Sequence, residues 1–321
     1  MRRATIETMN GLQLSKDYYE TYGKPMLEEQ FPDLLPYLAV GFTGSGSERW
    51  GFDDEVSRDH DFEPGFCLFL PDESIVDATQ EFQLERAYAK LPKEFMGVKR
   101  QPMSPVGGNR NSVKRTADFF TTSVGTPDGL LSTEQWLRLP SYALGEATNG
   151  EIWFDGFGEF TLIRDRLNAM PEDIRLKRLA GNLLLMAQSG QYNFTRCLRH
   201  GEPEAAMLAC GEFVNAALQA IFLLDRRYMP YYKWSFRALR QTLHEKDLAD
   251  KLSILLTAGL SEETAEDRYV VIEDICSDFI DRLQRENLTD AICGDLEKHA
   301  YSVNDRIKDG EIRNLHILAG V

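Results

Sequence analysis

The sequence is poor in cysteine and shows no targeting segment. Its five cysteines are scattered among 321 residues and form no C-x-x-C pair. This pattern argues against a disulfide framework and against a zinc site, so we expect reduced thiols. No apolar stretch reaches the roughly 18 residues that a membrane span needs, and the two arginines near the N-terminus precede no apolar signal-peptide core. We therefore expect a cytoplasmic protein without a membrane partner.

Positive charge is also scarce. The chain has 36 Lys and Arg residues against 51 Asp and Glu residues, which gives a net charge of −15. Such a field repels phosphates, so we expect no nucleic-acid surface, no nucleic-acid partner and no tRNA or DNA acceptor, although a local basic pocket could still bind a nucleotide. The 43% hydrophobic content is sufficient for an ordinary globular core.

Strand-like segments are concentrated in the first half of the chain. The alternation of strand-like and helical patterns there predicts an α/β domain. The predicted strands are Tyr37–Thr43, Phe66–Leu70, Thr116–Thr122 and Glu151–Ile163. From Pro171 onward the pattern is helical, and apolar residues recur at steps of three and four after Pro203. We predict an α+β fold, with a mixed-sheet α/β domain over residues 1–165 and an all-helical bundle over residues 166–321.

A glycine-serine turn and a pair of aspartates carry the chemistry of this sequence. An apolar run leads into Gly44-Ser45-Gly46-Ser47, and Asp59-His60-Asp61 begins twelve residues after Ser47. Such a turn exposes backbone N–H groups that can bind phosphate. On a strand, Asp59 and Asp61 would share one face while His60 points away. Two carboxylates beside this loop outline a site for Mg²⁺ and a triphosphate.

These residues resemble the signature of the nucleotidyltransferase superfamily, which includes DNA polymerase β and the aminoglycoside nucleotidyltransferases. In that superfamily a Gly-Ser pair begins a helix and an Asp-x-Asp pair lies on the next strand. Gly46-Ser47 and Asp59-x-Asp61 match this arrangement, and Gly51 follows Ser47 by four residues, as in aminoglycoside enzymes. The runs GSGSERWGFDDEVSRDHD and PYYKW look like a bacterial family of unknown function placed in the same superfamily, over most of the chain.

The resemblance implies an enzyme that transfers a nucleoside monophosphate from an NTP, ATP above all, to a hydroxyl of a small molecule or a protein. It also implies two Mg²⁺ ions held by Asp59, Asp61 and a third carboxylate. Asp118, on a predicted strand, is favoured as that third ligand, and Asp155 is the alternative. The loop Gly44–Ser47 would hold the phosphates.

The helical half resembles the substrate-side bundle of these enzymes and contains further candidates. Lys233 lies in the basic and aromatic run from Arg226 to Trp234. The resemblance implies that it contacts the nucleotide phosphates; the alternative is that it stacks on its aromatic neighbours or is solvated. Glu212 shares a polar helical stripe with Asn215 and Gln219, and is either the general base for the acceptor hydroxyl or ordinary helix surface.

Other charged residues fit a structural role better. Asp53, Asp54 and Glu55 are interpreted as solvated loop acids, with metal contact as the alternative. Arg196 and Arg199 are interpreted as partners of acidic side chains, with binding of a phosphate or a carboxylate as the alternative. If no third carboxylate reaches the aspartate pair, the alternative function is a catalytically inactive nucleotide-binding or interaction protein of the same fold. A toxin-like enzyme that modifies another protein is a third hypothesis.

Overall fold

The computed structural model describes residues 10–59, 62–100, 110–242, 246–259 and 262–321. The chain forms two units. The first comprises the chain up to Leu130 together with Ala143–Ala169, and the second comprises Leu131–Tyr142 together with Met170–Val321. The sequence predicts one boundary near residue 165; in the structure, residues 131–142 also group with the second unit.

The first unit contains the sheets. The strands are β1 (Ala39–Phe42), β2 (Cys67–Leu70), β3 (Glu94–Phe95), β4 (Val98–Lys99), β5 (Val113–Arg115) and β6 (Glu151–Asp155). Four of them form a mixed sheet in the order β5-β2-β1-β6, and β3 and β4 form a second, two-stranded sheet among the described residues. β1 is antiparallel to β2 and β6, whereas β2 is parallel to β5. A small mixed sheet followed by a helical region is therefore confirmed.

Helices make up most of the second unit and surround the sheet of the first. They are α1 (Gly11–Tyr18), α2 (Lys24–Gln30), α3 (Ala78–Lys90), α4 (Thr116–Val124), α5 (Thr133–Arg138), α6 (Ser141–Thr148), α7 (Glu159–Asn168), α8 (Glu172–Met186), α9 (Thr195–Arg199), α10 (Pro203–Leu224), α11 (Tyr232–Arg240), α12 (Lys246–Thr257), α13 (Glu262–Arg285), α14 (Leu296–Asp305) and α15 (Gly310–Asn314). The π-helical turn Tyr19–Gly23 connects α1 to α2, so the proline at the start of α2 does not interrupt the helix.

The central strands β1 and β2 are buried on both faces. Val40 and Leu68 belong to a cluster formed with residues of α1, α2 and α3. On the opposite face Phe69 packs on Phe160 of α7 and Phe119 of α4, with ring centroids 4.2 and 5.2 Å away. Because helices cover both faces, these strands read as continuous apolar runs rather than as alternating patterns.

Two strand predictions are wrong. Thr116–Thr122 lies within helix α4 and not in a strand, because Thr116, Phe120 and Val124 are buried at helical spacing and Gly125 ends the helix at φ 82°. The predicted strand Glu151–Ile163 ends at Asp155, and α7 follows. In both places threonine and aromatic residues suggested strand, and tertiary packing of the helical face decided otherwise.

The second unit is helical within its described residues. Its central helix α8 is almost entirely buried and packs on α10 and α14. The expectation that no apolar stretch is long enough for a membrane span is wrong, because α10 is long and apolar enough by length and composition. Most of α10 is nevertheless buried inside this unit, as in the core helix of a soluble protein.

Candidate functional site

The chain leaves β1 through the glycine-serine loop, residues 43–47. Gly44 and Gly46 adopt φ values of 111° and 126°, a region in which a Cβ atom causes strain. Ser45 is exposed, and Ser47 begins the short 3₁₀ helix Ser47–Arg49. The backbone N–H groups of Ser45, Gly46 and Ser47 donate no hydrogen bond to another described residue. Adjacent backbone donors of this kind can bind an anion of phosphate size.

Asn149 fixes this loop from a distant part of the first unit. Its Oδ1 atom accepts hydrogen bonds from the Gly44 N–H (2.9 Å) and the Thr43 hydroxyl (3.2 Å). Its Nδ2 group donates to the Gly44 carbonyl at 2.8 Å. Arg164 in turn donates to the Asn149 carbonyl at 3.1 Å. The sequence analysis missed Asn149, although the Asn149-Gly150 pair immediately before a strand is a recognised turn signal.

A buried ion pair lies beneath the loop. Arg49 and Glu48 are only 3% and 5% exposed and contact each other directly. The Nε atom of Arg49 donates to the Thr43 carbonyl at 2.9 Å, and its Nη2 atom donates to Asn111 Oδ1 at 2.9 Å. The guanidinium also lies 4.2 Å from the ring centre of Phe42. These contacts hold the loop to β1 and to the chain before β5.

The acids that follow the loop are engaged in structure rather than simply solvated. Asp53 Oδ2 accepts a hydrogen bond from the N–H of Gly11 at 2.8 Å, and its buried Oδ1 has no hydrogen-bond donor among the described residues. Asp54 Oδ1 accepts from the N–H and the hydroxyl of Ser57, at 3.0 and 3.1 Å. Both observations correct the interpretation of Asp53 and Asp54 as plain loop acids.

The two predicted metal ligands precede the second strand. Asp59 ends a 3₁₀ helix, Val56–Asp59, and β2 begins only at Cys67. The prediction that Asp59 lies on a strand is therefore wrong, because Asp54 caps a helical turn at this point. The side chain of Asp59, together with His60 and Asp61, lies outside the described residues. The role of Asp59 and Asp61 as metal ligands stays a prediction. The expectation that His60 takes no part in the chemistry also stays a prediction.

Of the two candidates for a third carboxylate, Asp118 lies on a helix instead of its predicted strand, whereas Asp155 is the last residue of strand β6. Asp118 is exposed in the first turn of helix α4, although its neighbour Phe119 lies beside Gly44. Asp155 caps α7 by accepting from the N–H groups of Gly158 and Thr161, both at 2.8 Å. Asp155 also pairs with the first residue of β1, whereas the loop leaves from the last, about 10 Å further along the strand.

Two glutamates that no sequence pattern pointed to are also associated with the loop region. Glu151 is the register partner of Phe42 at the loop end of β1. Its carboxylate pairs with Lys16 at 3.2 Å and accepts from the indole N–H of Trp153 at 3.0 Å. Burial raises the pKa of Glu146, although the nearby charges of Arg110 and Arg49 act in the opposite direction.

The candidates in the second unit are all on its surface. Lys233 is exposed on α11, and its ammonium group lies 5.4 Å from the ring centre of Trp234. Glu212 is exposed on α10. Arg196 lies over the ring of Tyr192, at 5.5 Å. The roles of Lys233 as a phosphate contact and of Glu212 as a general base stay predictions.

A carboxylate cluster suited to a metal is not evident within the described residues. No group of three or more His, Cys, Asp or Glu side chains is close enough there to hold an ion. One buried carboxylate oxygen that follows the loop in sequence, Asp53 Oδ1, has no hydrogen-bond donor among the described residues.

Comparison with known proteins gives one partial match. A family model described as a domain of unknown function (DUF4037) matches residues 136–235. The matched region extends from α5 to the first turn of α11 and includes Asn149, but not the loop 43–47. No curated protein matches this chain. The chain is thus similar over about a third of its length to a family whose function is itself unknown.

Proposed function

We propose that the protein is a metal-dependent nucleotidyltransferase, which moves a nucleoside monophosphate from an NTP to a hydroxyl of a small molecule or a protein. The observation that supports this proposal best is the loop at Ser45, Gly46 and Ser47, whose adjacent N–H groups donate to no other described residue. The motif resemblance described above supplies the reaction type. We expect ATP as the nucleotide and the cytoplasm as the location.

In this proposal the loop amides and the hydroxyl of Ser47 bind the β- and γ-phosphates, and Asn149 keeps the loop in the binding conformation. Asp59 and Asp61 would hold two Mg²⁺ ions, since carboxylate oxygens are the ligands that Mg²⁺ prefers. When bound, the metal supplies charge neutralisation at the phosphates and acidifies the acceptor hydroxyl. Asp118, Asp155 and now Glu146 and Glu151 are the candidates for an additional carboxylate.

The proposal is tested by pyrophosphate release from each of the four NTPs with Mg²⁺ and a panel of hydroxylated acceptors. We expect activity with at least one pair, and its loss in the variant Asp59→Ala, Asp61→Ala. Asp33→Ala, at an exposed aspartate of the same unit, is the matched control and should keep full activity. Full activity in the double variant would reject the proposal.

A catalytically inactive nucleotide-binding protein is the second candidate. One observation favours it: Asp118 is exposed on a helix and Asp155 is used as a helix cap. Calorimetry with each NTP, with and without Mg²⁺, separates the two functions. Nucleotide binding without pyrophosphate release under any acceptor condition would support this second function.

A further inference from the structure

One stretch of the second unit has a charge opposite to that of the whole protein. Residues 226–242 contain five cations and no acid, in a chain of net charge −15. The same residues include five aromatic side chains. We call this stretch the basic aromatic segment. Its cations are Arg226, Arg227, Lys233, Arg237 and Arg240.

Three of these cations form a stripe on one face of α11. Lys233, Arg237 and Arg240 are all exposed and follow one another at helical steps of four and three. A rise of about 1.5 Å per residue spreads the stripe over about 10 Å. Lys233 and Arg237 lie 5.4 and 4.9 Å from the ring centre of Trp234, which holds both side chains near the helix surface.

Exposed tyrosines stand next to this stripe. Tyr142, Tyr231 and Tyr232 are 39%, 42% and 69% exposed. The ring centre of Tyr231 lies 5.5 Å from that of Tyr142 and 4.4 Å from that of Tyr232. The N–H of buried Met229 donates to the Ser141 hydroxyl at 2.7 Å, which fixes the backbone beneath the rings. The tyrosines therefore form a fixed aromatic surface and not a mobile tail.

We propose that the basic aromatic segment, with Tyr142, binds single-stranded nucleic acid. Lys233 and Arg240 of α11 contact phosphates, and bases stack on Tyr232 and its neighbours, which is how single strands are bound without sequence readout. A duplex fits less well, because its charge density is twice that of one strand and the rest of the chain repels it. Arg226 is already paired with Glu172 at 2.8 Å and is not counted among the phosphate contacts.

The proposal does not use the loop at residues 43–47, although it assigns Lys233 to the phosphates of a single strand instead of those of an NTP. Binding requires neither an NTP nor Mg²⁺, so it can be present or absent whatever the first unit catalyses. The proposal departs from the expectation of no nucleic-acid partner, which rests on the net charge of the whole chain, and the segment offers only a few phosphate contacts. The affinity should accordingly be modest and its dependence on salt shallow, with log K falling by about 0.7 per phosphate contact for each tenfold rise in salt.

The test is fluorescence anisotropy of the full chain, without NTP or Mg²⁺, with a labelled 12-nucleotide oligoadenylate. An abasic strand of equal charge and a 12-base-pair duplex serve as competitors. We expect Tyr232→Ala to weaken binding about tenfold and Arg240→Ala to reduce the salt slope by about 0.7. Tyr192→Ala, at a tyrosine 60% exposed elsewhere in the same unit, is the matched control and should bind as the parent does.

Three results would overturn the proposal. They are the absence of binding at low salt, equal competition by the abasic strand, and tighter binding of the duplex. Equal competition would show a general polyanion surface, since an abasic strand has the phosphates but no bases to stack. A comparable loss in Tyr192→Ala would show that the labelled strand binds elsewhere on the second unit.

Discussion

Gly150 and Gly51 form a natural matched pair for testing how the glycine-serine loop is held. Both lie in the first unit, and their φ values are nearly equal, at 66° and 68°. They differ in surroundings, because a Cβ atom on Gly150 would lie 1.9 Å from the carbonyl oxygen of Phe42, whereas nothing lies within 4 Å of one on Gly51. Alanine at both positions therefore separates backbone strain from collision.

The strain is common to both variants and costs about 1–2 kcal/mol, the usual penalty of a left-handed conformation with a Cβ atom. In Gly150→Ala the backbone of Phe42 must also move, which separates the ends of β1 and β6 and pulls Asn149 from Gly44. Losing two or three hydrogen bonds there adds about 2–3 kcal/mol. We expect Gly51→Ala to cost about 1–2 kcal/mol and Gly150→Ala about 3–5 kcal/mol.

The measurement is urea denaturation followed by hydrogen exchange in peptides that contain β1 and β6, which reports on the first unit alone. Peptides of α8 and α10 serve as an internal reference and should be unaffected in both variants. Gly150→Ala should also weaken NTP binding, because the loop follows Phe42 directly. Equal destabilisation by the two substitutions would refute the close approach of Gly150 to Phe42 and with it the proposed support of the loop.

Substitutions at Asn149 and at Glu172 test two further sets of contacts. Asn149→Ala removes the acceptor of the buried Gly44 N–H, and we expect hydrogen exchange there to accelerate about 10- to 100-fold, with Asn149→Asp intermediate because it keeps the acceptor oxygen. Hydrogen bonds from Arg175 and Arg226 hold the pKa of Glu172 at about 2, against an ordinary 4.5, so its stabilisation is complete above pH 4.5 and is lost as the pH falls toward 2. Glu172→Gln should flatten that part of an acid-unfolding curve, whereas Glu134→Gln, at an exposed pair, should not.

The elements that could be predicted from sequence are those with local signals. β1 and β2 are continuous apolar runs bounded by polar turns, and the helices after Pro171 have acids in their first turns or apolar residues at helical spacing. α4 was not predictable in this way. Its threonines and phenylalanines favour a strand in isolation, and the helix is stabilised by packing Phe119 on Phe69 of β2 and Phe120 on Phe160 of α7.

The candidate site likewise contains residues that can be identified from sequence and residues that only strand pairing brings to the loop. The glycines of the loop can be identified from sequence, because a backbone position with a positive φ value favours glycine. Asn149 cannot, since it lies 105 residues from Gly44 and only the pairing of β6 with β1 brings it there. For the same reason Glu151 could not be assigned to the loop end of the sheet, or Asp155 to the opposite end, before the register was known.

The hydrogen bonds that hold the glycine-serine loop are relevant to both functions proposed for it. Gly44 is held by Asn149 through two hydrogen bonds, and the carbonyl of Thr43 is held by Arg49, which is itself fixed by Asn111. Because these contacts order the loop when the protein folds, an incoming triphosphate need not order it, and its binding keeps more of the favourable interaction energy. A catalyst and an inactive nucleotide-binding protein would both benefit from that. What distinguishes them is whether a further carboxylate joins the aspartate pair, and Glu151, at the loop end of β6, would have to exchange its contacts with Lys16 and Trp153 to do so.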